Sequence, residues 1–226
     1  MPIYRLAEEI VFPPADHADP SGLLAVGGDL SSERLLEAYR QGIFPWYSDD
    51  QPLLWWSPDP RLILELSQFR VSRSLRRTLR KRTFEVTFDR AFDEVIKACA
   101  STPRTGQRGT WITEEMQEAY IRLYGLGFAH SAESWFEGEL VGGIYGVSLG
   151  RCFFGESMFH LMSDASKVAL AMVVERLKDW DFDFIDAQMT TDHMLRLGAQ
   201  EVPRRLFLKR LQAALRHPTK RGKWHY

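Results

Sequence analysis

The sequence predicts an α+β fold, in which a three-stranded antiparallel meander is followed by a helix, a strand and further helices. The meander is predicted because three strand-forming runs between residues 129 and 157 are joined by two glycine turns, Glu137-Gly138 and Leu149-Gly150. The next helix is predicted from a 3.6-residue apolar period that begins at residue 163. The 226 residues are 45% hydrophobic, which is enough for one full domain with a small appendage.

The first part of the chain, residues 1–66, is predicted to be a small N-terminal domain with many loops. It is rich in proline and contains one clear helix, which Ser31 can cap and Gly42 can end. Three of the seven tryptophans lie here within eleven residues, at positions 46, 55 and 56. A core of this size does not need so many large rings, so this domain is expected to contribute aromatic residues to a site.

Residues 67–226 are predicted to form the larger domain. Its expected elements are a strand over 84–88, a helix from Asp89, a helix capped by Thr113, strands over 129–136, 140–149 and 151–157, a long helix from 163, a strand over 182–188, a short helix from Thr191 to Gly198 and a last helix through Leu211. The β-β-β-α-β-α order from residue 129 is the layout of acyltransferases of the GNAT type. Fold alone says little about substrate.

Two basic segments stand out in a chain whose formal net charge is only −1. Residues 70–82 hold seven basic side chains and no acid, and residues 202–226 hold eight and no acid. The rest of the chain is strongly acidic. A polyphosphate partner favours basic patches on an acidic protein, because each neutralised phosphate releases counterions. The alternative is that each segment is a solvated helix face.

Several classes of protein are excluded by composition and pattern. The longest uncharged run, Leu140–Gly150, is far shorter than the ~20 apolar residues that span a bilayer. The first twenty residues lack the basic start and apolar stretch of a secretory signal, and two cysteines cannot make a disulfide framework. The six histidines have no metal-binding spacing, so no metal site is expected. These features predict a cytoplasmic protein.

The strand over 182–188 carries the most distinctive chemistry. A period of two places Asp186 and Gln188 on one face, about 7 Å apart, beside two phenylalanines. An unpaired Asp186 inside a sheet would cost several kcal/mol, so it must be hydrogen-bonded or face a cleft. The same reasoning applies to Glu156, at the end of the third meander strand. The alternative is an acid that caps the next helix or faces water.

Two other kinds of enzyme site are poorly supported by the sequence. Ser157, in GESMF, lacks the second glycine of a nucleophile elbow. A coenzyme A site should have a glycine-rich turn before the long helix, to wrap a pyrophosphate on backbone amides. The sequence at that place reads MFHLMSDASK and contains no glycine.

A series of long motifs, in this order and spacing, closely resembles one family, the leucyl/phenylalanyl-tRNA-protein transferases. The motifs are GLLAVGGDLSSERLLEAYRQGIFPWY, LLWWSPDPR, GTWIT, ELVGGIYGV, FFGESMF, ASKVAL, FDFIDAQ and DHMLRLGAQEVPR, and the resemblance runs from about residue 3 to about 212. It implies a small N-terminal domain on a GNAT-like domain that uses neither coenzyme A nor another cofactor. It also implies transfer of leucine or phenylalanine from aminoacyl-tRNA to proteins that begin with Arg or Lys, which marks them for degradation.

The resemblance assigns expected roles to individual residues. Trp46 and Trp111 would contact the terminal adenosine of the tRNA, with Tyr39 near the same site; stacking on an indole is worth ~1 to 3 kcal/mol per base. The catalytic cluster would be Glu156, Asp186 and Gln188. The pocket for the transferred side chain would be lined by Ile144, Phe153, Leu170, Leu177 and Ile185. From their helical spacing, Arg73, Arg76, Arg77 and Arg80 are expected to follow tRNA phosphates.

The expected mechanism leaves two roles open for Gln188. An aminoacyl ester is already activated, so attack by an unprotonated amine needs no covalent enzyme intermediate, and orienting both substrates can supply ~7 to 11 kcal/mol. One proposal for the family that this chain resembles makes Gln188 the base that takes the amine proton, with Asp186 polarising it. A neutral amide is a very weak base, so we favour a role in which Asp186 holds Gln188 in one orientation and its carbonyl accepts a hydrogen bond from the amine.

Three interpretations from different classes can be distinguished by experiment. The first is the aminoacyl-tRNA-dependent transferase, the second is an acyl-CoA N-acyltransferase of the same fold, and the third is a non-catalytic RNA-binding module. Turnover with charged tRNA rather than acetyl-CoA separates the first two, and binding without a peptide product would indicate the third. The sequence alone leaves open the preference among leucine, phenylalanine and methionine, the oligomeric state and the cellular targets.

Overall fold

The structure is a computed structural model that describes residues 3–102 and 111–225. Its strands are β1 (Tyr4–Leu6), β2 (Leu23–Gly27), β3 (Phe44–Pro45), β4 (Leu54–Trp56), β5 (Arg61–Glu65), β6 (Glu85–Phe88), β7 (Ala129–Phe136), β8 (Glu139–Leu149), β9 (Cys152–His160), β10 (Phe184–Gln188) and β11 (Gln200–Val202). Its α-helices are α1 (Ser32–Arg40), α2 (Arg73–Lys81), α3 (Phe92–Ser101), α4 (Glu114–Gly125), α5 (Ala165–Asp179), α6 (Asp192–Arg196) and α7 (Arg204–Ala214). Among the residues so described, no helix is both long enough and apolar enough to cross a membrane.

A seven-stranded mixed sheet forms the centre of the molecule, with the strand order β11-β5-β10-β9-β8-β7-β6. The meander β7-β8-β9 is antiparallel, as the glycine turns predict. Helix α5 then crosses over, and β10 returns parallel to β9. The α+β class and the β-β-β-α-β-α order are therefore confirmed.

A second, four-stranded sheet has the order β1-β2-β4-β3 and ends at Trp56. The next strand, β5, belongs to the large sheet, where it lies between β10 and β11 and is antiparallel to both. The boundary expected near residue 66 therefore falls after a strand that the large sheet already contains. The run Leu62–Leu64 is fully buried there, which explains why it leaves the small sheet.

The two faces of the large sheet carry different helices, and this division separates the two apolar cores. Neighbouring residues of β8 point to opposite sides: Ile144 packs in a cluster with α5, whereas Tyr145 packs in a cluster with α3, α4 and the N-terminal elements. Helix α2 packs beside α5 through Leu75 and Val168. A site at the sheet can therefore be approached by side chains from both layers.

Three of the helix starts follow the expected capping chemistry, whereas α5, expected to start at Ser163 and Asp164, has no side-chain cap among the described residues, and a second exception concerns α3. Ser31, Thr113 and Thr191 each accept a hydrogen bond from the backbone amide three residues later. At α3 the sequence predicts a start at Asp89, but the helix begins at Phe92. Asp89 has φ +52°, and its carboxylate instead accepts hydrogen bonds from the backbone amides of Ser131 and Trp224 and contacts His130 Nδ1.

The two meander turns offer a matched stability test, since both contain glycine at positive φ. At Gly150 (φ +54°) an added Cβ would lie 2.3 Å from the carbonyl oxygen of Ala214, whereas at Gly138 (φ +85°) nothing lies within 4 Å. We expect Gly138→Ala to cost about 1–2 kcal/mol, for the left-handed backbone alone. Gly150→Ala should cost about 1–3 kcal/mol more, because α7 must shift. Urea unfolding measures both, and equal losses would contradict this account of the Gly150 turn.

Candidate active site

Glu156, on β9, is the centre of a buried polar cluster that joins four elements. Its Oε1 accepts hydrogen bonds from the hydroxyl of Tyr39 on α1 (2.7 Å) and from Nε2 of Gln188 on β10 (2.8 Å). Its Oε2 accepts from the hydroxyl of Tyr120 on α4 (3.1 Å). The two hydroxyls also contact each other. One carboxyl therefore fixes the relative positions of two helices and two strands.

Burial raises the pKa of Glu156 to about 7, and the negative charge of Asp186 acts in the same direction. The hydrogen bonds from Tyr39, Tyr120 and Gln188 oppose this rise in the pKa. The number of protons in the cluster also favours the protonated form of Glu156. The carboxyl and the two phenols make three mutual contacts, but two phenols supply only two protons, and a protonated Glu156 supplies the third. The cluster is therefore poised to change its protonation state near neutral pH.

Asp186 is fully buried and forms a bidentate ion pair with Arg61, which is also fully buried. Arg61 Nε and Nη2 donate to the two carboxylate oxygens at 2.8 and 2.6 Å. The requirement that a buried Asp186 must be hydrogen-bonded is met by a residue outside the expected site. A fork-to-fork pair of this kind fixes the carboxylate in its plane.

Gln188 does not continue the strand alternation that the sequence suggests. The pairing of β10 with β5 shifts register between Asp186 and Gln188, and Gln188 has φ +61°. Its backbone N–H donates to Asp186 Oδ1 (2.9 Å), while its side chain turns to Glu156. Asp186 therefore holds the backbone of Gln188, and Glu156, instead of Asp186, orients its amide. This is a correction to the expected geometry of the pair.

A cavity of about 530 Å³ lies next to this cluster, on the α5 side of the sheet. Glu156 lines it, together with Ile144, Leu170 and Ile185. Phe153 and Leu177 do not line it, but both are buried in the apolar cluster that contains the three lining residues. The structure therefore brings all five expected pocket residues together in one cluster, and three of them face the cavity; their contact with the transferred side chain stays a prediction.

The segments that contain the two expected adenosine-binding tryptophans are adjacent. Tyr47, next to Trp46, contacts the hydroxyl of Thr113 through its own hydroxyl (3.2 Å), and Thr113 lies two residues after Trp111. Both tryptophans are half-buried. Trp46 packs edge-on against Trp56 at 5.6 Å between ring centroids. The first two residues of the GTWIT motif, 109 and 110, lie outside the described residues.

Tyr39 differs from the two tryptophans, since its ring is fully buried and packs against Phe154. Burial raises its pKa, and so does the neighbouring Glu156 carboxyl. A ring with no exposed face cannot stack on a base. Tyr39 therefore does not stack on a base in this structure, and its hydroxyl belongs to the Glu156 cluster; its position near the adenosine site stays a prediction.

The four arginines expected to contact phosphate lie on α2 and are all exposed. Helix α2 packs on α5 through apolar residues, which leaves its basic side free. The neighbouring helix α5 contributes Ser166 and Leu170 to the cavity, so the basic helix flanks the α5 wall of the cavity. The arginines are Arg73, Arg76, Arg77 and Arg80.

Two members of the site were missed by sequence reasoning. Tyr120 was assigned only to the apolar stripe of its helix, and Arg61 was not considered. Both carried a signal. A tyrosine on the buried stripe of a helix needs a partner for its hydroxyl, and Arg61 opens the apolar run RLILE, where an unpaired charge would be costly.

A buried carboxyl with a raised pKa, hydrogen-bonded to an amide and two phenols beside a partly apolar cavity, is typical of an enzyme active site. The chain matches two family models, leucyl/phenylalanyl-tRNA protein transferase over residues 63–212 and the N-terminal domain of the same transferase over residues 28–59. It therefore belongs to the leucyl/phenylalanyl-tRNA protein transferase family.

Relatives with the name leucyl/phenylalanyl-tRNA–protein transferase match along almost the whole chain. The relative from Syntrophotalea carbinolica is 61% identical, covering 97% of this chain and 95% of its own. The relative from Myxococcus xanthus is 57% identical, covering 99% and 97%. Solved structures are more distant. A protein of unknown function from Staphylococcus epidermidis has a TM-score of 0.45 at 10% identity (80% of this chain, 68% of that one), and L-PGS from Bacillus licheniformis has 0.39 at 12% (88% and 66%).

The raised pKa of Glu156 predicts a stability change with pH. Between about pH 4.5 and pH 7 the folded protein keeps the proton that the unfolded chain has lost, so stability falls as pH rises through this window. The loss from this residue is on the order of 3 kcal/mol. Glu156→Gln should lack this fall when unfolding free energy is measured by denaturant at several pH values. The pKa of Glu133 is also raised by burial, but it contributes equally to both proteins. Parallel pH curves would contradict the titration of Glu156.

Proposed function

We propose that this chain transfers leucine or phenylalanine from aminoacyl-tRNA to the N-terminal amine of proteins that begin with Arg or Lys. The observation that carries this proposal is the juxtaposition of the Glu156–Gln188 cluster with the apolar cavity in a member of the family. The cavity suits an apolar side chain, and the cluster suits the polar atoms attached to it. The product carries an added N-terminal residue that serves as a degradation signal.

The reaction is aminolysis of an ester and needs no group beyond the two substrates. The acceptor nitrogen attacks the ester carbonyl carbon, the C–N bond forms and the bond to the ribose oxygen breaks. The amine loses one proton and the ribose oxygen gains one, so no oxidant or cofactor is consumed. Because the ester is already activated, orientation of the substrates can supply ~7 to 11 kcal/mol.

Gln188 is proposed to orient the attacking amine. When Glu156 is ionised it can only accept hydrogen bonds, so Gln188 must present its NH₂ group to Glu156. The carbonyl oxygen of Gln188 is then the atom left to accept a hydrogen bond from the amine. An amide is a poor base, so we assign the proton to water or to the ribose hydroxyl.

The wider architecture supports the same proposal. We propose that the larger domain is GNAT-like, since its meander is followed by a helical crossover to a parallel strand. The glycine-free turn before α5 disfavours coenzyme A as the acyl carrier. The N-terminal domain would contribute Trp46 for the terminal adenosine, with Trp111 from the larger domain. The enzyme would act in the cytoplasm, where charged tRNA is available.

The proposed function is tested by incubating the protein with Leu-tRNA and a peptide that begins with Arg, followed by mass spectrometry. We expect one added leucine, none on a peptide that begins with Glu, and no acetylation with acetyl-CoA. Ile-tRNA should react roughly 10- to 200-fold more slowly, because β-branching clashes near the cavity entrance. Absence of any leucyl product would overturn the proposal, and equal rates for Leu-tRNA and Ile-tRNA would overturn the assignment of the pocket.

The basic helix α2 is proposed to contact tRNA phosphates. Replacing Arg76, Arg77 and Arg80 by alanine should raise KM for Leu-tRNA and flatten its salt dependence, because about three phosphate contacts are lost. A short leucyl-adenosine donor, which lacks those phosphates, should be affected little.

A matched control removes three exposed charges elsewhere, through alanine at Arg5, Lys97 and Lys178. This variant has the same net charge and should keep the wild-type KM. If both triple variants change KM alike, net charge governs tRNA binding and the local role of α2 is wrong.

A further inference from the structure

Arg61 lies at the start of β5 with every polar atom of its guanidinium engaged. Two nitrogens pair with Asp186, and Nη1 donates to the carbonyl oxygen of Gly42 at 3.2 Å. The guanidinium carbon Cζ also lies over two aromatic rings, 4.8 Å from the centroid of Phe44 and 4.5 Å from that of Phe207. Contacts to a carboxylate, a carbonyl and two aromatic rings leave this group little freedom to move.

The effect of this restraint passes through Asp186 to Gln188. Asp186 Oδ1 accepts hydrogen bonds both from Arg61 Nε and from the backbone N–H of Gln188. Gln188 needs that support because its backbone is left-handed (φ +61°), a conformation that is unfavourable for a residue with a side chain. In an extended conformation Gln188 would instead follow the strand alternation. With the left-handed backbone, the side-chain amide of Gln188 reaches Glu156.

We propose that Arg61 is a positioning residue for aminoacyl transfer, which fixes Asp186 and thereby the left-handed conformation of Gln188. It does not contact the reacting atoms. This inference rests on the proposed function for its kinetic consequences and on the geometry of the Arg61–Asp186–Gln188 chain for its structural ones.

The positioning role requires arginine, because lysine has the same positive charge but lacks the planar, two-pronged guanidinium group. One ammonium group cannot hold both carboxylate oxygens in a plane and reach the carbonyl of Gly42 as well. Arg61→Lys should therefore free the Asp186 carboxylate to rotate. We expect kcat to fall about 100-fold, the size of effect that follows from a misplaced catalytic group, with KM for leucyl-adenosine nearly unchanged.

Arg34→Lys is a matched control. Arg34 is also fully buried; its Nε donates to the carboxylate of the exposed Asp29, and both Nη nitrogens donate to backbone carbonyls. This substitution should lower the melting temperature by a similar amount and leave kcat unchanged. If the two variants lose kcat in the same proportion to stability, Arg61 is a structural residue only.

Amide hydrogen exchange measured by NMR tests the positioning role without turnover. In Arg61→Lys the Gln188 amide should exchange about 10- to 100-fold faster, since its hydrogen bond to a fixed, charged acceptor is lost for part of the time. Amides elsewhere in β10 should keep their protection, and Arg34→Lys should leave the Gln188 amide unaffected. A wild-type protein without leucyl transfer would overturn the proposed function, whereas unchanged Gln188 exchange in Arg61→Lys would overturn this inference.

The double variant Arg61→Met/Asp186→Leu separates stability from positioning. Replacing a whole buried ion pair by apolar residues of similar volume is often neutral for stability. We expect this variant to unfold near the wild-type temperature but to show the low kcat and the fast Gln188 exchange of Arg61→Lys. Wild-type kcat in the double variant would show that the pair is dispensable and would overturn the proposal.

Discussion

The burial of one carboxyl group, that of Glu156, is the constraint on which the site depends. A charge removed from water requires hydrogen bonds, and here they come from α1, α4 and β10, three elements far apart in the sequence. Two of the donors, Tyr39 and Tyr120, bring large rings that complete the core on that side of the sheet. The same two tyrosines therefore donate hydrogen bonds to the buried carboxyl and fill the apolar core.

The second buried carboxylate, that of Asp186, is stabilised in a different way, by an ion pair. Its ion-pair partner is Arg61, on the neighbouring strand β5. Arg61 also donates a hydrogen bond to the carbonyl oxygen of Gly42, which lies between α1 and β3. Buried ion pairs contribute little net stability, because desolvation offsets most of the attraction. The Arg61–Asp186 pair instead fixes the position of the Asp186 carboxylate. The register of β10 shifts directly after Asp186, and the side chain of Gln188 there turns toward Glu156.

Local patterns predicted the regular elements well, because each depends on residues close in sequence. The meander followed from its glycine turns, and the helices followed from apolar periods and from caps such as Ser31 and Thr113. The predictions were weaker for features that depend on contacts between residues far apart in the sequence. The four-stranded sheet and the insertion of β5 between β10 and β11 were not predicted, since short strands take their partners from the tertiary fold.

The fold class, the basic helix and the residue types of the site could be predicted from the amino-acid sequence, because periodicity, charge and motif order are properties of the chain. The resemblance to the family grouped Glu156, Asp186 and Gln188 as one cluster. The hydrogen-bond partner of each of these side chains is visible only in the folded molecule, because hydrogen bonds depend on distance and direction between residues far apart in the sequence. That is why Arg61, 125 positions from Asp186, and the left-handed backbone of Gln188 emerged only from the folded chain.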